Sequence, residues 1–177
     1  VKPESAFMID IGGGSTELIM MSNDQPLLKQ SMHLGVVYLA NDYMKHDPPL
    51  EEDLNRMEEE ITQQLASVAA SFKELFSEET ILIGTAGTVT TLATVAQNLV
   101  SFDHKRIHNC KLPLETVKNI FSDIATIHSQ ERADYIPFEP ERLDIIVPGT
   151  LILLKLMEMF SFNEMTVSNY GLREGIL

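Results

Sequence analysis

The sequence predicts an α/β fold, a central mixed sheet with helices on both faces. Three observations predict it. The chain opens with three short β-like runs joined by tight turns, which read as a meander. Segments of helical periodicity then alternate with two further short apolar runs. Two of the junctions, DIGGGSTE and GTAGT, are built from glycine and hydroxyl residues rather than from ordinary surface loops.

The opening runs cover 6–11, 17–22 and 27–32. Gly12, Gly13 and Gly14 turn the first, and Asn23-Asp24-Gln25-Pro26 turns the second. Leu34, Val37, Tyr38 and Asn41 mark a short helix, which Asp47-Pro48-Pro49 ends. A long amphipathic helix follows over 50–76. Its apolar residues Leu54, Met57, Ile61, Leu65, Val68, Phe72 and Leu75 fall at gaps of three and four, with Asp47 as its expected N-cap. Residues 80–83 form a buried strand that runs through GTAGT into a helix over 89–100. The polar stretch 101–111 reads as loop. Leu114, Val117, Ile120, Phe121, Ile124 and Ile127 mark the next helix. A proline-spaced loop leads to an apolar helix over 141–160, in which Pro148 should produce a kink. A strand at 164–167 and a turn at Ser168-Asn169-Tyr170-Gly171 lead to a final helix.

At 177 residues the chain is expected to be a single lobe over 1–177, long enough to bury a core without staples. Its start at a strand, without an initiating Met, reads as a piece of a longer protein. The one cysteine, Cys110, cannot form an internal disulfide, so a reducing, cytoplasmic setting is the expectation. A net charge of −13 argues against non-specific nucleic-acid binding. The longest apolar stretch, 143–160, is interrupted by Asp144, Pro148, Lys155 and Glu158 and reads as a buried helix rather than a membrane span. An anionic ligand would need local N–H groups, a few basic side chains or a cation to overcome the overall repulsion.

The segment DIGGGSTE meets that need. Glycines admit positive φ and close approach of a ligand, successive amides form an anion nest, and Ser15 and Thr16 add hydroxyl donors. Asp10 and Glu17 flank the loop. Carboxylates repel phosphate, so they make sense as ligands of a hard divalent cation or of its water; Mg²⁺ suits such a site. The loop lacks the lysine of a Walker A motif. The plainer alternative is a glycine hairpin with two surface acids. In GTAGT, the glycines Gly84 and Gly87 and the hydroxyls Thr85 and Thr88 stand between a strand and a helix, where amides and the helix dipole favour an anion; an ordinary tight turn is the alternative. Pro148-Gly149-Thr150 marks a close approach to a ligand or a packing kink. Arg142, close to Asp144, either braces the site or forms a surface ion pair, and Arg173 either holds phosphate or pairs with an acid such as Glu174. His104 and His108 stand four apart in a polar stretch and read as solvated.

In order and spacing, DIGGGSTEL, GTAGT, ERLDIIVPGTLIL and SNYGLREGIL resemble the exopolyphosphatase / guanosine pentaphosphate phosphohydrolase family, Ppx/GppA. The four motifs span nearly the whole chain. The resemblance implies a ribonuclease-H-like lobe of the actin, sugar kinase and Hsp70 superfamily, here the second of two lobes. It implies metal-dependent hydrolysis of terminal phosphoanhydride bonds in polyphosphate or in guanosine penta- or tetraphosphate, with Mg²⁺ or Mn²⁺. Asp10 and Glu17 become metal-binding and catalytic, and Gly12, Gly13, Gly14 and Ser15 phosphate-binding. The missing first lobe supplies another phosphate loop and a catalytic glutamate, so the isolated lobe is expected to be inactive. A homodimer is implied for the intact protein. Two alternatives stand beside this reading: a sugar-kinase-like ATP-binding lobe, and a non-catalytic module that binds polyphosphate or a nucleotide alarmone.

Overall fold

The computed structural model describes residues 4–170. Six strands form one mixed sheet in the order β3-β2-β1-β4-β6-β5. The meander is β1 (Ser5–Ile11), β2 (Thr16–Ser22) and β3 (Gln25–Met32), each antiparallel to the next. Its second turn is a two-residue Asn23-Asp24 turn with φ of 48° and 62°, the left-handed pair that matches strand twist in a tight hairpin. The helices α1 (Val36–Tyr43) and α2 (Glu51–Lys73) then carry the chain back to β4 (Ile81–Thr85), which lies parallel to β1. Next come α3 (Ala86–Ala96), a single turn α4 (His104–Ile107), β5 (Lys111–Pro113), α5 (Leu114–Ala125), two 3₁₀ turns, α6 (Ile146–Phe160) and β6 (Glu164–Val167). β6 pairs parallel to β4 and antiparallel to β5.

Strand alternation decides which face is the core. Phe7, Ile9 and Ile11 of β1, Leu18 and Met20 of β2, Leu82 of β4 and Met165 and Val167 of β6 are buried on one face. The Phe7 ring packs on Phe72 of α2 and Phe160 of α6 at centroid distances of 5.1 and 4.8 Å. Tilted aromatic pairs of this kind add about 0.5–1.5 kcal/mol each beyond the area they bury. α6 is the hub, since it touches α1, α2, α3 and α5. It is buried over most of its length, and its two charged residues, Lys155 and Glu158, form ion pairs with Glu58 and Lys118 near its C-terminal end. The opposite face of the sheet carries Met8, Asp10, Glu17, Ile19, Met21 and Ile83, all only half-buried. The expected helical layers are therefore met on one face among the described residues.

Four local expectations change. β5 and α4 lie in the stretch 101–113, read as loop up to 111. α3 begins at Ala86, three residues early. Asp47 does not cap α2: Leu50 is the N-cap, and the side chain of Asp53 reaches back to its amide at 3.2 Å. Asp47 instead accepts hydrogen bonds from the backbone and hydroxyl of Ser129. Finally, α6 begins at Ile146, so Pro148 falls in its first turn. The amides there have no intrahelical partner, so proline costs nothing and no kink is needed. Among the described residues, no helix is long and apolar enough to cross a membrane.

Candidate functional site

The site gathers at the C-terminal ends of the parallel strands β1 and β4, where open α/β sheets place their ligands. Asp10 is the register partner of Glu17 across the first hairpin and of Thr85 across the parallel pair. Cross-strand partners point to the same side of a sheet, so the two carboxylates share one face. Burial, and then the charge of Glu17, push the Asp10 carboxyl above the usual carboxylate range. Glu17 is held in place: its Oε1 accepts from the hydroxyls of Ser15 at 2.6 Å and Ser31 at 2.8 Å. Two hard oxygen donors on one face suit a divalent cation that keeps most of its waters. A three-ligand cluster of His46, Glu52 and Asp53 also exists, at the start of α2, but Asp53 is already bonded to His46, Arg56 and the Leu50 amide.

Between the carboxylates, the loop 12–15 is shaped by α1. The α1 amides of Val36 and Val37 donate to the carbonyls of Gly12 and Gly13 at 3.1 and 2.9 Å. The Gly12 amide closes the hairpin on the Ser15 carbonyl at 2.9 Å. Those of Gly13, Gly14 and Ser15 donate to no backbone acceptor among the described residues. Positive φ is not what these glycines provide, since none of the described glycines adopts it. They provide room: a Cβ on Gly14 would meet no atom of the described residues within 4 Å. Thr16 is turned the other way. It is buried, and its hydroxyl donates to the Leu34 carbonyl at 2.5 Å.

At the second turn, β4 passes into α3 with no intervening loop. Ala86 takes φ of 69°, a left-handed conformation that costs a residue with a Cβ about 1–3 kcal/mol and that clusters at functional sites. Thr85 is the N-cap residue, yet its hydroxyl donates to the Tyr170 carbonyl at 3.0 Å and caps nothing. The first turn of α3 thus lacks a side-chain cap, so its amides and dipole are available to an anion. The Arg142 guanidinium lies across Gly87, in the space a Cβ would fill. Glu139 fixes it from behind: it accepts from Arg142 Nε at 3.1 Å and from the Thr91 hydroxyl. Arg142 therefore pairs with Glu139, not with Asp144, and braces the turn. Gly84 and Thr88 stand behind it. Gly84 is inside β4 beneath Met165, and Thr88 is buried against Gly149. Gly149 also lets α6 approach Val36, at 3.1 Å from where its Cβ would stand. Arg173 and the expected last helix lie outside the described residues.

The structure thus brings Asp10, Glu17, both glycine turns, Arg142 and Gly149 to one end of the sheet. Sequence reasoning missed Gly35, Ser31 and Glu139. A Cβ on Gly35 would strike the backbone of Gly13 and Gly14, so its absence lets α1 seat the loop. A glycine directly before an apolar helix was the available signal. Ser31 reaches Glu17 only through strand register, and Glu139 reaches Arg142 across a loop of no regular pattern.

Comparison with known proteins shows what the whole chain is similar to. The model of the Ppx/GppA phosphatase family matches residues 2–177. Exopolyphosphatase 2 of Mycobacterium tuberculosis is 25% identical over 173 residues, which cover 96% of this chain and 53% of that protein. The crystal structure of the Aquifex aeolicus Ppx/GppA phosphatase superposes with a TM-score of 0.88 at 30% identity, covering 99% of this chain and 56% of that one. An exopolyphosphatase from Cytophaga hutchinsonii gives a TM-score of 0.85 at 26% identity, covering 99% and 56%. The chain spans about half the length of the curated relatives it matches.

Proposed function

Because the chain belongs to the Ppx/GppA phosphatase family, we propose that it is one phosphate-binding lobe of a hydrolase acting on the terminal phosphoanhydride bonds of polyphosphate or guanosine pentaphosphate. The observation that carries this reading is the pairing of Asp10 with Glu17 on one face beside amides that have no backbone acceptor. The free amides of Gly13, Gly14 and Ser15 receive phosphate oxygens, and the uncapped start of α3 with Arg142 receives the charge at the other turn. Asp10 and Glu17 are the residues that would hold Mg²⁺ or Mn²⁺. When bound, that cation offsets the charge of the phosphoryl group in transfer. Ser15 and Ser31 orient Glu17, and an oriented carboxylate can position the attacking water. A second lobe, facing this end of the sheet, completes the site.

The test is phosphate release from polyphosphate by the full-length protein carrying both lobes. Replacing Glu17→Gln keeps the shape and removes the charge; release is expected to fall about a hundredfold or more. Undiminished release would remove Glu17 from the mechanism.

A further inference from the structure

The segment 126–145 links α5 to α6 and carries Glu139 and Arg142 to the turn from β4 to α3, yet little apolar packing holds it. It forms two 3₁₀ turns, Glu131–Asp134 and Pro140–Arg142, and its only buried residues are Arg132 and Ile136. Arg132 does the fastening. Its guanidinium is fully buried. It donates from Nε to the Ile124 carbonyl at 2.8 Å, from Nη2 to that of Ile127 at 2.9 Å and from Nη1 to that of Leu143 at 3.1 Å. The first two carbonyls stand at the end of α5, where acceptors lack helical partners; the third belongs to the residue that follows Arg142. A buried guanidinium is tolerated only with its donors paired, so these four groups hold one geometry. On its outer side, Nη2 faces Asp47 Oδ1 at 3.4 Å, and Asp47 accepts from the amide and hydroxyl of Ser129. Asp47 lies between α1 and α2, and the α1 amides fasten the carbonyls of Gly12 and Gly13.

We infer that Arg132 is a positioning residue for the site. By tying the Leu143 carbonyl to the end of α5 it sets where Arg142 enters the second turn, and through Asp47 it joins the supports of both glycine turns into one clasp. Arg142 reaches over Gly87 from a single 3₁₀ turn, which has no long helix to hold its direction. Glu139, its ion-pair partner at 3.1 Å, rides on the same segment and moves with it. Across the gap, one hydroxyl, that of Thr91 in α3, reaches Glu139. The placement of the segment therefore decides whether the guanidinium meets the turn. Arg132 is buried away from any ligand and acts through Arg142. The inference deepens the functional reading above and rests on it only for the consequence in phosphate binding; the placement of Arg142 stands without it.

The experiment uses Arg132→Lys in the full chain, which keeps the charge and loses the fork that reaches three carbonyls. If that variant does not fold, Asp47→Asn replaces it in every comparison, since the Asp47 side chain is 43% exposed and the change keeps its shape. The first readout is the shift in urea midpoint caused by Gly87→Ala, which reports whether Arg142 occupies the volume beside Gly87. In the variant background that shift is expected to shrink by about half or more. A shift of unchanged size overturns the inference. The second readout is tripolyphosphate affinity by calorimetric titration. The variant and Arg142→Ala should each weaken it, Arg142→Ala by about tenfold, and together they should weaken it no further than Arg142→Ala alone, because one acts through the other. Losses that multiply are what a general loosening of the fold produces, and they overturn the inference as well. If the midpoint shift shrinks while Arg142→Ala leaves affinity untouched, or while tripolyphosphate does not bind, Arg132 positions Arg142 as inferred and the phosphate reading of the second turn falls.

Discussion

The two glycine-bearing turns look alike in sequence and are opposite in construction. In the hairpin turn at 12–15, the space beside Gly14 is open and the carbonyls of Gly12 and Gly13 are tied to α1. In the turn from β4 to α3, the chain itself fills the space: Met165 lies over Gly84 and Arg142 over Gly87. The first turn is a cradle with its back fastened. The second is a packed joint that presents a helix start and a guanidinium. A phosphate ligand needs both, room in one place and fixed positive potential in another, and a chain of net charge −13 must generate that potential locally. Glycine count is therefore a poor guide to a binding loop; what occupies the missing Cβ volume separates ligand space from packing space.

If that contrast holds, glycine-to-alanine substitutions will sort by what they strike. The largest effect belongs to Gly35→Ala. Its Cβ would collide with the backbone of Gly13 and Gly14, which cannot rotate away as a side chain can. Either α1 or the cradle must shift, and a loss of about 3 kcal/mol in urea denaturation is expected, at the upper end of overpacking costs. A stability change under about 1 kcal/mol would mean that the cradle is soft and that α1 does not define it.

Gly87→Ala comes next. Here the obstacle is the Arg142 guanidinium, a flexible side chain, so a loss of about 1–2 kcal/mol is expected. The informative measurement is the double-mutant cycle with Arg142→Ala. With the guanidinium gone, alanine in the first turn of α3 should become neutral or stabilise by a few tenths of a kcal/mol, since alanine favours helix over glycine. Equal costs in both backgrounds would show that Arg142 does not occupy that volume.

Much of this construction was legible in the sequence, but unevenly. The meander was readable because alternation and turn residues coincide, and the strand at 164–167 was found with its observed limits. Asp10 and Glu17 were readable as a pair because a short turn puts residues equidistant from it opposite each other. β5 was not readable: three residues ending in Pro113 carry no alternation, and only pairing with β6 makes them a strand. The start of α6 was misplaced because the helix was read from 141, where the chain instead makes a 3₁₀ turn over Pro140–Arg142, and only the structure shows Pro148 in the first turn. Ser31 and Glu139 act through approaches made by tertiary folding, for which one-dimensional spacing holds no signal, whereas Gly35 left only the weak signal of a glycine before an apolar helix. His104 is exposed, as its polar surroundings suggested, whereas His108 is half-buried and its Nδ1 accepts from the amide of Asn169, sixty-one positions away, at 3.4 Å.

The smallest effect on stability, and the sharpest on binding, belongs to Gly14→Ala. Nothing among the described residues meets the added methyl group, and the backbone at Gly14 does not use positive φ. Restricting the unfolded chain should leave stability unchanged or raise it by about 0.5 kcal/mol. The methyl group would nevertheless stand where a phosphate oxygen approaches the amides. Tripolyphosphate affinity should therefore fall about tenfold while the denaturation midpoint holds, a separation that a purely structural glycine cannot produce. If affinity is untouched, the open space beside Gly14 is solvent and not a ligand seat, and the phosphate must be held by the start of α3 and Arg142 alone.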